Sequence, residues 1–209
     1  MKLYLSSYGV GSRSADFQAM AHGRTIGVVP NAIDHVDAET RALSIARNVA
    51  QLTELGIATA VLDLREFFAD HRGLARAMES LGGVWVRGGN TFVLRQAMRL
   101  SGFDAWLMER TETDFLYGGY SAGVCVLAPR LEGLHHVDDP TVCPYPGGDT
   151  IWEGVGLLDH LVLPHYQSNH PESAAIDKDV DYCLAHGIAF RPLRDGEAIV
   201  QEILPTHHA

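Results

Sequence analysis

Short apolar runs alternate along this chain with stretches whose apolar residues recur every three or four positions. Residues 3–5 (Leu-Tyr-Leu) form the first run, and residues 25–29 (Thr-Ile-Gly-Val-Val) the second, which ends at Pro30. From Asp37 the period changes. Leu43, Ala46, Val49, Ala50 and Leu52 fall on one helical face, and Gly56 suits the C-terminal cap. Residues 57–64 read as a buried strand, 74–81 as a helix stopped by Gly82-Gly83, and 84–86 as a strand ending at Gly88-Gly89. Helices are predicted over 91–100 and 105–110, followed by a strand over 115–117 that ends at Gly118-Gly119. Runs that are apolar on both faces and alternate with helices specify a mostly parallel sheet covered on both sides.

The pattern lapses over residues 130–153, where Pro140, Pro144, Pro146, Gly147 and Gly148 mark an irregular excursion. Loops of that length inside a compact domain are often functional, so a lid or wall over a site is expected there. Order returns with a strand over 161–163 and a helix that has Pro171 near its first turn and Gly187 after its end. The final apolar runs, 188–190 and 198–200, flank Asp195-Gly196, a hairpin signal. With no repeat and no linker, residues 1–209 are expected to form a single α/β domain closed by a C-terminal β-hairpin.

Composition narrows the class. Apolar residues make up 46% and charged residues 20%, which excludes intrinsic disorder. Sixteen Lys and Arg against 26 Asp and Glu give a net charge of −10, the opposite of a nucleic-acid footprint. No apolar run approaches the roughly 18 residues of a membrane span, and the N-terminus is too short in apolar residues for a signal-peptide core. Three scattered cysteines without a C-x-x-C argue against a disulfide framework or structural zinc site. A cytoplasmic enzyme or binding protein without membrane or nucleic-acid partners is expected. The 11 histidines raise either metal binding or catalysis.

The sharpest chemical signal is Gly119-Tyr120-Ser121-Ala122-Gly123 between a predicted strand and a predicted helix, the context of a nucleophile elbow. Glycines allow the tight turn that lifts Ser121 above the sheet, and the Ala122 N–H then faces the site as an oxyanion donor. A base is needed. His165 lies just past the predicted strand 161–163, at the sheet edge where open parallel sheets place their sites, which is also the edge of Ser121. His170 and His186 read as capping or surface residues. Asp195 and Glu197 are the candidates for the group that orients the imidazole, and spacing does not choose between them. Asp138 and Asp139, which lie between serine and histidine, would give the α/β-hydrolase order instead. A second glycine cluster, Gly88-Gly89-Asn90, offers close backbone approach and a second oxyanion donor, or else a plain turn with Asn90 as N-cap. Asn90 and Tyr120, beside these turns, are the expected substrate contacts.

These segments resemble the peptidase E family of serine peptidases, which includes aspartyl dipeptidases and cyanophycinases. The resemblance rests on Gly88-Gly89-Asn90-Thr91-Phe92, Gly119-Tyr120-Ser121-Ala122-Gly123 and Pro164-His165-Tyr166, in that order and spacing. It implies a three-layer α/β sandwich similar to class I glutamine amidotransferase domains. It implies Ser121 as nucleophile, His165 as base, Asp195 in place of the family's glutamate, and an oxyanion hole from Ala122 with Gly89 or Gly88. The activity implied is hydrolysis of short peptides through an acyl-enzyme, in a dipeptidase- or aminopeptidase-like manner, with neither metal nor other cofactor. Self-association, a homodimer included, is left open.

An aspartyl substrate would want a bidentate cation. Residues 168–181 supply only Lys178, so Arg87, Arg130, Arg191 and Arg194 are the distant candidates. Two other readings compete. A glutamine-amidotransferase-like domain, whether catalytic or a non-catalytic sensor, would keep the fold without the serine chemistry. A metallohydrolase would use His160, His165 and His170, but their spacing of five does not stack on a helix and no His-Glu-x-x-His occurs.

Overall fold

The computed structural model describes residues 1–203. Its centre is a six-stranded sheet built from β1 (Lys2–Ser6), β2 (Thr25–Val29), β3 (Ala58–Val61), β4 (Gly83–Val86), β5 (Leu116–Tyr120) and β8 (Ala198–Glu202), in the order β3-β2-β4-β5-β1-β8. All neighbours are parallel except β8, which runs antiparallel to β1. The helices are α1 (Ser14–Ala21), α2 (Ala38–Glu54), α3 (His71–Met78), α4 (Thr91–Ser101), α5 (Phe103–Met108), α6 (Ala122–Cys125) and α7 (Ser173–His186).

Strand alternation divides the core into two layers. Leu3, Leu5, Val84 and Val86 face one side and pack with Leu74, Val93, Leu94, Met98 and Phe103 of α3, α4 and α5. Tyr4, Ile26, Val28 and Trp85 face the other and pack with Phe17 of α1 and Leu52 of α2. The period-two pleat of strands buried on both faces thus produces the three-layer α/β sandwich. No helix among the described residues is long and apolar enough to cross a membrane.

Several expectations are corrected. Residues 57–64 do not form a buried strand. Only 58–61 are extended, at the sheet's edge, and Val61 is half exposed. The period-based reading passes over α1. This helix has no side-chain N-cap and buries only Phe17 and Ala21, so its apolar stripe is too thin to recognise. Both C-terminal strands are present, but they do not form a hairpin with each other. β7 (Phe190–Pro192) pairs in parallel with β6 (Leu161–Leu163), while β8 crosses to β1. Asp195-Gly196 is still a turn, with Gly196 at φ +93°. It redirects the chain between two sheets rather than reversing it within one.

The irregular segment is closed at its base by a bridge between Arg130 and Glu153. It lies against α4, where Asn90 Nδ2 donates to the Asp139 carbonyl (2.9 Å), Thr91 N donates to Asp138 Oδ2 (2.8 Å) and Gln96 Nε2 donates to the Val142 carbonyl (3.1 Å).

Candidate active site

The carboxyl ends of β4, β5 and β1 meet at one edge of the sheet, as Gly88-Gly89, Ser121 and Ser7 follow those strands. Open parallel sheets build their sites on this edge because the loops there can diverge. A cavity of about 620 Å³ opens at it, lined by Tyr8, Arg87, Gly88, Gly89, Tyr120, Ser121, His165, His170 and Glu172, with Arg47, Asn48 and Glu54 of α2 as the opposite wall.

Ser121 has φ +50° and ψ −122°, a backbone state costly for a residue with a side chain. Its surroundings hold it there. A methyl on Gly123 would lie 2.2 Å from the Val86 carbonyl oxygen, so only glycine lets α6 pack this close to the end of β4. The Tyr117 hydroxyl donates to the Gly123 carbonyl at 2.6 Å and fastens the turn from below. A methyl on Gly88 would lie 2.8 Å from Ser121 Cβ and 3.2 Å from its Oγ, so the second glycine cluster touches the serine itself. No acceptor among the described residues takes the N–H of Gly88, Gly89 or Ala122. Amides left unpaired beside a cavity are ready donors to a ligand oxygen.

His165 follows β6 at φ +60° and is 1% exposed. Its Nδ1 lies 2.7 Å from Asp195 Oδ1. The same carboxylate oxygen accepts the Ser7 hydroxyl at 2.8 Å, and Ser7 Oγ in turn accepts the His165 backbone N–H at 2.8 Å. Asp195 N donates to Ser168 Oγ at 2.8 Å. Burial pushes the imidazole pKa below its ordinary value. The Asp195 hydrogen bond pulls the other way, and His170 adds to the lowering. One ring nitrogen of His165 thus rests on a carboxylate, and Nε2 lies toward the cavity wall at Glu172.

The other acidic candidates have partners of their own. Glu197 Oε2 accepts the Arg194 backbone N–H (2.8 Å) and closes the turn. Asp138 caps α4 through Thr91 N, with burial pushing its pKa up to about 7, and Asp139 binds Thr141. Neither bonds His165 among the described residues. Asn90 is also placed differently from the expectation. It does not line the cavity, because Oδ1 accepts the Phe92 and Val93 N–H groups and Nδ2 is taken by Asp139. It is an N-cap. Tyr120 does line the cavity, its hydroxyl 3.4 Å from Arg87 Nε and 3.3 Å from Asn48 Oδ1. No residue of 130–153 borders the cavity, so that segment is not its lid or wall. His160 pairs with Asp159 and borders a different cavity, so it does not join His165 and His170.

Sequence reasoning missed three positions. Ser7 carried no motif; only its place at the end of the first strand pointed to the site. His170 does cap, its Nδ1 accepting the Glu172 N–H at 3.2 Å just before α7, but it also lines the cavity. Its ring stacks on that of His165 with centroids 3.7 Å apart and planes 8° apart. Glu172 Oε2 stands 3.6 Å from His165 Nε2. Of the distant arginines, only Arg87 reaches the cavity. Arg130 pairs with Glu132 and Glu153, Arg194 bonds Gln167, and Arg191 borders a cavity beside Ser12. Arg47 joins Arg87 there, and among the described residues the Arg87 guanidinium bonds only the Tyr120 hydroxyl, with Nη1 left without an acceptor.

Comparison with known proteins completes the description. The model of peptidase family S51 matches residues 13–202. An uncharacterized peptidase of Listeria innocua is 28% identical over 192 residues, covering 88% of this chain and 84% of its own length. A peptidase E of Streptomyces coelicolor is 31% identical over 151 residues, 72% of this chain and 55% of that protein. Among solved structures, a candidate peptidase E protein from Listeria monocytogenes superposes with a TM-score of 0.70 at 22% identity, covering 96% of this chain and 98% of the other.

Proposed function

The chain belongs to peptidase family S51 and is a serine-type peptidase, and from that premise we propose that it hydrolyses short peptides through an acyl-enzyme on Ser121. The observation that carries this reading is the His165 ring, buried and fixed by Asp195 in the cavity that Ser121 also lines. The Ser121 turn acts as a nucleophile elbow. His165 Nε2 takes the hydroxyl proton as Oγ attacks the scissile carbonyl, and Asp195 stabilises the imidazolium that forms. The carbonyl oxygen, now an oxyanion, is received by the free N–H groups of Ala122 and Gly89 or Gly88. The proton passes to the leaving amine, and water resolves the ester with His165 acting again. A cavity of about 620 Å³ suits a peptide of a few residues.

The pH profile follows from the depressed imidazole. Protonated His165 cannot accept the Ser121 proton, so kcat/KM rises as pH climbs through the His165 pKa and is flat above it. The midpoint is expected below the ordinary imidazole value of about 6.5, because burial outweighs the Asp195 bond. A midpoint above neutrality would contradict this assignment of the base.

For specificity, we read Arg87 as the anchor for an acidic side chain on the substrate, an aspartyl preference included. An arginine that lines the site without a carboxylate partner is a charge waiting for an anion, and its Nη1 is buried with no protein acceptor. Against a panel of dipeptides with free N-termini, Arg87→Ala should lower kcat/KM for Asp-X by about 10- to 100-fold while changing Ala-X little, the worth of one charged hydrogen-bonded contact. An equal fall for both peptides would remove Arg87 from specificity.

A further inference from the structure

The ring of His165 is flanked by more than its catalytic partners need. On its open side stand His170, stacked on it at 3.7 Å, and Glu172, 3.6 Å from Nε2. One ligand atom from each of His165, His170 and Glu172 falls within 4.8 Å of the other two. His170 Nδ1 to Glu172 Oε2 is 3.9 Å. Two ligands at about 2.1 Å from a tetrahedral zinc ion are about 3.4 Å apart, so these separations need only small closing movements. Two imidazoles and a carboxylate are also a donor set that borderline-soft divalent ions select.

The surroundings match as well. A zinc-bound histidine nearly always gives its other ring nitrogen to a carboxylate, a backbone carbonyl or water, which fixes the ring and raises its basicity. His165 has that arrangement already, with Nδ1 on Asp195. The remaining adjustment falls on His170, whose Nδ1 accepts the Glu172 backbone N–H at 3.2 Å, so that bond must open or Nε2 must serve as the ligand. Parallel rings do not aim two lone pairs at one point, so its ring must tilt. It sits outside α7, with its side chain 18% exposed, whereas His165 is held at 1%.

We propose that His165, His170 and Glu172 form a site for a divalent transition-metal ion such as zinc, and that the ion switches the peptidase off. This rests on the reading of His165 as the base. The lone pair of Nε2 can either accept the Ser121 proton or bind the ion, and it cannot do both. No bond in the protein changes: the ion adds to three lone pairs and leaves again with a chelator.

The test uses the full chain, freed of metal with EDTA. Zinc binding is followed by calorimetry, and cobalt(II) in zinc's place by its visible absorption. Hydrolysis of a cleaved dipeptide is measured over the same zinc range. The wild type should bind zinc and lose at least 90% of its activity as the site fills, with recovery on adding EDTA. His170→Ala and Glu172→Gln should each weaken zinc binding by about tenfold or more, while Ser121→Ala binds as wild type. Equal binding in the wild type and both variants would put the ion elsewhere and overturn the proposal. So would zinc that fills the site and leaves hydrolysis unchanged or faster. The binding arms need no peptidase activity, so failure of the zinc site and failure of the Ser121 assignment read out separately.

Discussion

Ser121→Ala is expected to cut kcat/KM for a cleaved dipeptide by about 10⁴- to 10⁶-fold, the range found when a nucleophile that acts as one unit with its base is removed. That is about 5 to 8 kcal/mol of transition-state stabilisation, at roughly 1.4 kcal/mol per tenfold. The fold should survive the change. The unusual backbone of Ser121 is imposed by its neighbours, with Gly123 packed on Val86 and Tyr117 bonded to the Gly123 carbonyl, and alanine keeps the same Cβ. Thermal unfolding would establish that the variant is folded. A fluorophosphonate probe should label the wild type at Ser121 and leave the variant unmodified. A folded Ser121→Ala protein that hydrolyses peptides at the wild-type rate would sink the assignment.

Asp195→Asn should be nearly as damaging, with kcat down on the order of 10⁴-fold and KM little changed, because the orienting acid acts on the transition state rather than on binding. The carboxylate accepts from His165 Nδ1, so the free lone pair is on Nε2. An asparagine can turn its NH₂ toward Nδ1 and trap the opposite tautomer, which leaves Nε2 protonated and useless as a base. Glu197→Gln supplies the contrast. Its carboxylate serves only the Arg194 N–H at the turn, so activity should stay within about threefold, as for substitutions away from the chemistry. If the two variants exchanged these outcomes, the acid would be Glu197 and the hydrogen bonds seen at Asp195 would be structural only.

Much of the site was legible because its local demands are written in residue types. A serine forced through a tight strand-to-helix turn needs small residues on both sides, and Gly119 and Gly123 announce it. The Gly88-Gly89 pair is legible for the same steric reason, since a side chain at 88 would strike Ser121. Asn90 had two local readings, and the capping one prevailed because the first N–H groups of α4 point at its oxygen. Residues whose roles depend on long-range contact left no such mark. Ser7 meets Asp195 across 188 positions of sequence, and only the pairing of β1 with β5 and β8 brings it there.

The alternation of apolar runs and helical periods determined by itself that a parallel sheet would be covered on both faces, because each strand must bury two rows of side chains. The same local logic determined where the chain turns at Ser121 and that His165 ends a strand. Only the tertiary structure decided which carboxylate bonds the His165 ring, because Asp195 and Glu197 flank one turn, Asp195 reaching His165 and Glu197 the Arg194 N–H. It decided that the last two strands part company to join different sheets, since a turn sequence fixes a change of direction but not the partner. It also decided that Arg47 of α2, Arg87 after β4, and the His170–Glu172 pair after β6 border one cavity. Those positions meet through packing of elements far apart in the chain, and no periodicity in a single sequence records such a meeting.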